Sequence, residues 1–259
     1  MTSVSRPPRS VVNVSLRHLL QGILLALLAI TVPADAREIR EERADFNIFL
    51  LGLNVATLVI ASRNDGEQYA VTTSFGSRGL ASLLLPTRYN IRTRGYLQAN
   101  RFLPTRYIEE RKTGNQIITR TLTFQNGAIA SVVYDPADLA EQEFAKESSP
   151  GPSHELINTL YTIVRDRKEN QLCREPSVTF NGKDWTILEF GGTVRQSQES
   201  LTCTAAIFSS EDPAATDTAR KRYELEFTYV PHATDAGWYQ LALITGETRT
   251  GPMTIRRRF

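Results

Sequence analysis

The chain has 259 residues, 22% of them charged and 41% hydrophobic, which excludes collagen-like, coiled-coil and wholly disordered architectures. Its net charge of +2 does not point to nucleic acid. Residues 1–36 hold Arg6, Arg9 and Arg17 against Asp35 alone, and their removal leaves 27 basic and 27 acidic residues.

The N-terminus reads as an export signal. Residues 1–18 are basic and lack acids; Leu19 to Val32 is an apolar run of 14 residues, too short for an ordinary span, and Ala34-Asp35-Ala36 follows Pro33. Cleavage is expected after Ala36, giving an exported protein without a membrane span, most simply periplasmic. Residues 37–45 are highly charged and are expected to form a flexible leader.

Residues 46–256 read as a single β-rich domain. Phe46 to Ser62 is a long apolar run, and Asn64-Asp65-Gly66 marks a hairpin turn into Glu67–Phe75. Tyr89, Ile91, Thr93, Gly95 and Leu97 alternate with polar neighbours. Thr113-Gly114-Asn115 and Asn126-Gly127 separate three further strand patterns between Arg106 and Tyr134. A helix is expected near 153–168: Ser153 suits its cap, and Leu156, Ile157, Leu160, Ile163 and Val164 share one face.

After the helix, Asn181-Gly182 is a turn, and Trp185–Phe190 alternates again. Arg222–Val230 is the clearest strand, with Tyr223, Leu225, Phe227 and Tyr229 on one face. Trp238–Ile244 and Thr248–Ile255 form the last hairpin pattern. The expected fold is mainly β: an antiparallel, closed or half-closed barrel-like sheet of about ten strands with one packed helix. Cys173 and Cys203 are the two cysteines, and an even count in an exported chain predicts a disulfide. Closing that loop is worth about 3.7 kcal/mol in the chain-entropy model. Two buried thiols are the alternative.

Several segments together resemble DUF3108, a family of exported bacterial proteins of unknown function. They are Phe46–Leu53, Ser77-Arg78-Gly79-Leu80, Pro104-Thr105-Arg106-Tyr107, the helix Glu155–Tyr161 and Phe180-Asn181-Gly182-Lys183. Cys173 and Cys203 sit where some members place a cysteine pair. The sequence departs from the family pattern at Asn181, where Asp is usual, and in lacking an Asp-Pro directly before the helix. The resemblance implies a mostly antiparallel, barrel-like envelope protein and carries over no catalytic residue.

No catalytic residue, cofactor or metal site is expected. His154 and His232 are the histidines beyond residue 36, and no C-x-x-C is present. His232 with Asp235 could orient one another, but Gly76-Ser77-Arg78-Gly79 lacks the spacing of a nucleophile elbow. Glu109-Glu110 and Glu224/Glu226 read as solvated strand faces rather than glycosidase pairs. Arg256-Arg257-Arg258 reads as a strand end or a contact for anionic headgroups. Terminal Phe259 suggests a membrane barrel, which the Arg and Glu content of the strands opposes.

Leu83-Leu84-Leu85 and the aromatic face of Tyr223, Phe227 and Tyr229 could line a groove for an acyl chain or fill a core. The functional expectation is therefore a non-enzymatic envelope protein with a hydrophobic small molecule or an envelope protein as partner. An envelope hydrolase for glycan or ester bonds and a partner-docking module are the alternatives.

Overall fold

The computed structural model describes residues 39–84, 86–98, 101–137, 156–174, 177–180, 185–197, 199–210 and 222–259. The first strand, β1 (Arg40–Leu50), takes in most of the segment expected to be a flexible leader. Its charges pair along the strand: Arg40 with Glu42 at 2.6 Å and Arg43 with Asp45 at 2.9 Å. Residues two apart share a face, so these pairs leave Ala44 and Phe46 free to be buried beside Glu42.

At Leu51-Gly52 the chain turns back into β2 (Leu53–Asn64). Both turn residues have positive φ, 52° and 79°, as a two-residue hairpin of this hand requires. The single apolar run Phe46–Ser62 is thus two strands. The meander continues through β3 (Gln68–Ser77), a short helix α1 (Gly79–Leu84), β4 (Thr87–Gln98), β5 (Arg101–Thr113), β6 (Gln116–Gln125) and β7 (Ala128–Asp135). Helix α2 (Leu156–Val164) and the two-residue β8 (Arg167–Lys168) follow. The second meander is β9 (Ser177–Phe180), β10 (Trp185–Gln196), β11 (Leu201–Ser210), β12 (Arg222–Pro231), β13 (Trp238–Thr248) and β14 (Gly251–Arg258).

All pairings are antiparallel between chain neighbours except two. β8 attaches to β13, and β1 pairs with β14 from Asp45↔Arg258 to Leu50↔Met253. That central pairing fuses the two meanders into one sheet of 14 strands, 13 of them in one path from β7 to β9. The expected count of about ten was low, and of the expected closed or half-closed sheet the closed form is not found: among the described residues the path is open at β7 and β9. Alternation identifies strands, but it does not say whether the last one meets the first.

The sheet nevertheless curls. Helix α2 packs on β9, β13, β3 and β4. β4 and β9 lie nine places apart in the strand order, about 43 Å if the sheet were flat. A nine-residue helix is about 14 Å long. Both contacts require the sheet to wrap round the helix. Ile157, Tyr161, Ile163 and Val164 of α2 are buried there, each worth about 1.5–3 kcal/mol. The Phe102 ring meets Tyr69 and Tyr161 edge-on, at 4.9 and 5.3 Å. The buried Asn158 amide donates to the Tyr69 hydroxyl at 2.6 Å, and the Tyr229 hydroxyl donates to the Ile163 carbonyl at 3.4 Å.

The helix ends earlier than expected, at Val164. Residues 153–155, with the expected cap, lie outside the described residues. At the other end Arg167 and Lys168 leave the helix to pair with Tyr239 and Trp238. Arg167 is buried and donates to the Gln171 carbonyl at 3.2 Å, an arrangement a continuing helix would not allow.

Candidate functional site

In an antiparallel meander alternate turns gather at one end of the sheet. The turns β1–β2, β3–β4, β5–β6 and β13–β14 share such an end. Direct contacts join them. Leu51 N–H donates to the Pro252 carbonyl at 3.0 Å, Arg78 N–H to Val55 at 2.7 Å, and Gly114 N–H to Pro86 at 3.1 Å. Ser77 fixes the two feet of the β3–β4 connection: its Oγ accepts from Thr87 N–H at 3.0 Å and lies 3.3 Å from the Thr87 carbonyl. Helix α1 stands on that connection with Gly79 at φ 57°.

The side chains raised there are apolar and uncovered. Leu80, Leu83 and Leu84 are 69%, 78% and 83% exposed, and Leu51 and Leu53 are 59% exposed. Leu83 and Leu84 were singled out from the sequence, and Leu85 lies outside the described residues. Leu51, Leu53 and Leu80 enter the sequence reading only within the family-like segments and not as groove residues, because the hairpin that raises the first two is hidden in an unbroken apolar run. The aromatic face proposed as the other groove wall is elsewhere. Phe227 and Tyr229 are buried in the core, with Phe227 against Phe190 at 5.4 Å, and Tyr223 is half-buried.

The opposite end is polar and mutually paired. Tyr161 Oη accepts from Ser62 Oγ at 2.9 Å and donates to Glu42 Oε2 at 3.2 Å. Arg257 donates to Asp166 at 3.2 Å, and His232 Nε2 lies 3.4 Å from the same carboxylate. A cavity of about 10 Å³, room for about one water, lies among Glu42, Tyr161, Arg165, Asp166 and Arg257. Burial pushes the Glu42 carboxyl above its usual range, against the pull of Arg40. Burial and the Glu42 charge push the Tyr161 phenol up to about 12.

The Nδ1 atom of His232 accepts from the backbone N–H groups of Thr234 and Asp235, at 3.3 and 3.2 Å. That assigns the proton of the neutral ring to Nε2, which faces Asp166. Both nitrogens are thus engaged in holding the β12–β13 turn to Asp166, and the sequence-suggested neighbour Asp235 lies 3.6 Å from Nδ1. The cluster ties the C-terminus of α2 to β1, β2 and β14. His154 and Ala36 lie outside the described residues.

The remaining groups singled out from the sequence are placed as follows. Glu109 accepts from Arg120 at 2.6 Å and from Tyr107 Oη at 2.7 Å, while Glu110 points to Asn90 at 3.4 Å. Glu224 pairs with Arg222 at 2.9 Å. Arg257 and Arg258 are held by Asp166 and Asp45, and Arg256 lies over the Phe49 ring at 5.9 Å. Cys173 and Cys203 stand at disulfide spacing, Cα to Cα 6.0 Å. Among the described residues no group of three potential metal ligands occurs, and no helix is long and apolar enough to cross a membrane.

A family model described as "Protein of unknown function (DUF3108)" matches residues 44–184. The chain belongs to this family. The matched span runs from within β1 through β9, with both helices and so the five exposed leucines, whereas His232, Asp235 and Arg257 lie beyond it. No curated protein matches the chain. Among solved structures it is similar to a beta-barrel-like protein of domain of unknown function DUF1849 from Brucella abortus. The identity is 9%, over 84% of this chain and 94% of that one, with a TM-score of 0.39.

Proposed function

We propose that this DUF3108 protein is a non-enzymatic, exported protein of the cell envelope that engages an acyl chain or similar hydrophobic component through its leucine-rich end. The observation that carries the reading is the set of exposed leucines on α1 and the β1–β2 turn. A short helix whose three leucines all face outward contributes nothing to the core, and exposed apolar clusters of this kind mark contact sites. The paired state of His232, Glu109 and Glu224 supports a structural role for those groups over a hydrolytic one.

Native mass spectrometry of the protein isolated from its own envelope tests this. A bound acyl-chain species is expected, and it should be lost in Leu83→Ser/Leu84→Ser. A protein carrying no hydrophobic species would contradict the proposal.

A second reading rests on β7. Its sequence AIASVVYD has no basic residue or proline to protect an edge, and among the described residues its outer side has no strand partner. Such an edge suits addition of a strand from another protein. A peptide-binding screen with Val132→Pro as the non-binding control separates this reading from the first.

A further inference from the structure

The four turns named above at the leucine-rich end also carry an excess of positive charge. Their segments 49–54, 76–88, 111–117 and 249–253 contain five basic residues and no acid. Arg78, Arg88, Lys112 and Arg249 are exposed and have no carboxylate partner among the described residues. Glu247, two residues before Arg249, is the acid of that hairpin. The opposite end is the reverse: Arg40, Arg43, Arg257 and Arg258 each pair with a carboxylate. Apolar exposure is divided in the same way. Of the ten exposed large apolar side chains among the described residues, six are at the leucine end: Leu51, Leu53, Leu80, Leu83, Leu84 and Ile117.

From this coincidence we infer that the α1 end docks the protein on an anionic lipid surface. Leu80, Leu83 and Leu84 enter the acyl boundary, and Arg78, Arg88, Lys112 and Arg249 meet the headgroup phosphates. The inference deepens the proposed function and rests on its reading of that end. An interfacial helix with leucines below and cations level with the headgroups binds by buried apolar area plus attraction to anionic lipid. Two other occupants are disfavoured by charge. A second copy docked on the same face would set cation against cation. The chain's own apolar N-terminal run is preceded by Arg6, Arg9 and Arg17, again of the same sign.

Vesicle flotation of the protein as isolated from cells tests the inference. Phosphatidylglycerol–phosphatidylcholine vesicles are compared with phosphatidylcholine alone, using wild type, Arg78→Gln/Arg88→Gln, Leu83→Ser/Leu84→Ser, and Arg92→Gln on an exposed strand position as control. Each basic side chain near an anionic leaflet is worth about fivefold in partitioning. The arginine pair should therefore lower binding at least about tenfold, the leucine pair should do the same, and the control should leave it unchanged. Wild-type binding should fall on neutral vesicles and in 0.5 M salt, which screens the attraction. Unfolding midpoints verify that each variant is folded.

Equal binding to neutral and anionic vesicles, or wild-type binding by both double variants, overturns the inference. So does a dimer in sedimentation that Leu83→Ser/Leu84→Ser abolishes, which would assign the face to a second copy. If the isolated protein carries an acyl species yet binds no vesicles, docking falls and the proposed function stands. If it does neither, both fall.

Discussion

The Tyr161 hydroxyl on α2 donates to Glu42 on β1 at 3.2 Å, joining residues 119 apart in the chain. The same oxygen accepts from Ser62 on β2 at 2.9 Å. One phenol thus fixes the longer helix among the described residues to β1, on which the two meanders are fused, and to β2 beside it. Burial of the two bonded groups sets how the fold responds to pH.

Glu42 holds its proton more tightly folded than unfolded, because burial raises its pKa above the usual 4.5 despite Arg40. Where the folded state binds more protons, stability falls as pH rises. The loss begins near 4.5 and is complete once pH passes the raised value. Glu42→Gln removes this pH dependence. Urea unfolding of both proteins between pH 4 and 7 should show wild type losing stability relative to the variant as pH rises. A constant difference, or one of opposite slope, would contradict this assignment.

The buried phenols act at the alkaline end. Tyr161 and Tyr229 are both pushed up to about 12, Tyr229 mainly by burial. The unfolded chain loses these protons near 10, so stability falls between pH 10 and 12, by up to about 2–3 kcal/mol per tyrosine. Ultraviolet titration should show Tyr161 and Tyr229 ionising together with unfolding, and Tyr229→Phe should lower the number that do so by one. Ionisation of all tyrosines near 10 in a still-folded protein would refute it.

Gly95 on β4 has no room for a methyl group. A Cβ there would press on the Leu103 carbonyl and lie 2.8 Å from Pro104 Cα, backbone atoms that cannot turn aside. This is where the β4–β5 register shifts. Gly95→Ala should cost about 1–3 kcal/mol. Gly76 on β3 faces open space with ordinary φ, so Gly76→Ala should be neutral or gain about 0.4–1 kcal/mol. Equal midpoints for the two variants would show that the close approach is not real.

The strands were legible because their side chains alternate: Ile91 and Thr93 point inward, as do Phe227 and Tyr229. Asn126-Gly127 was legible because its residue types favour positive φ. Leu51-Gly52 was not, since a leucine at φ 52° is uncommon and gives no turn signal. The first half of β1 was hidden by its own ion pairs, which make Arg40–Asp45 read as a charged leader. Helix α1 was hidden by composition: a run of leucines before a proline suggests interior, and only the fold turns Leu83 and Leu84 outward. The polar cluster around Tyr161 needs the curl of the sheet, which no local pattern encodes.

Two covalent predictions follow from sequence and spacing. N-terminal sequencing of the protein from the periplasm should begin at Arg37; intact precursor in the membrane fraction would contradict processing after Ala36. Thiol labelling of the denatured, unreduced protein should find no free cysteine, because Cys173 and Cys203 stand 6.0 Å apart at Cα. Replacing both by serine should cost about 2–4 kcal/mol. Two reactive thiols per chain would refute the bond.

The most direct measurement of the central claim is photocrosslinking in the living cell. A photoreactive residue at Leu84 is compared with one at Tyr96, which is also exposed but lies at the opposite end of β4. The proposed function predicts acyl-chain or lipid adducts at position 84 and none at 96. Adducts of equal yield at both positions, or none at 84, would contradict it.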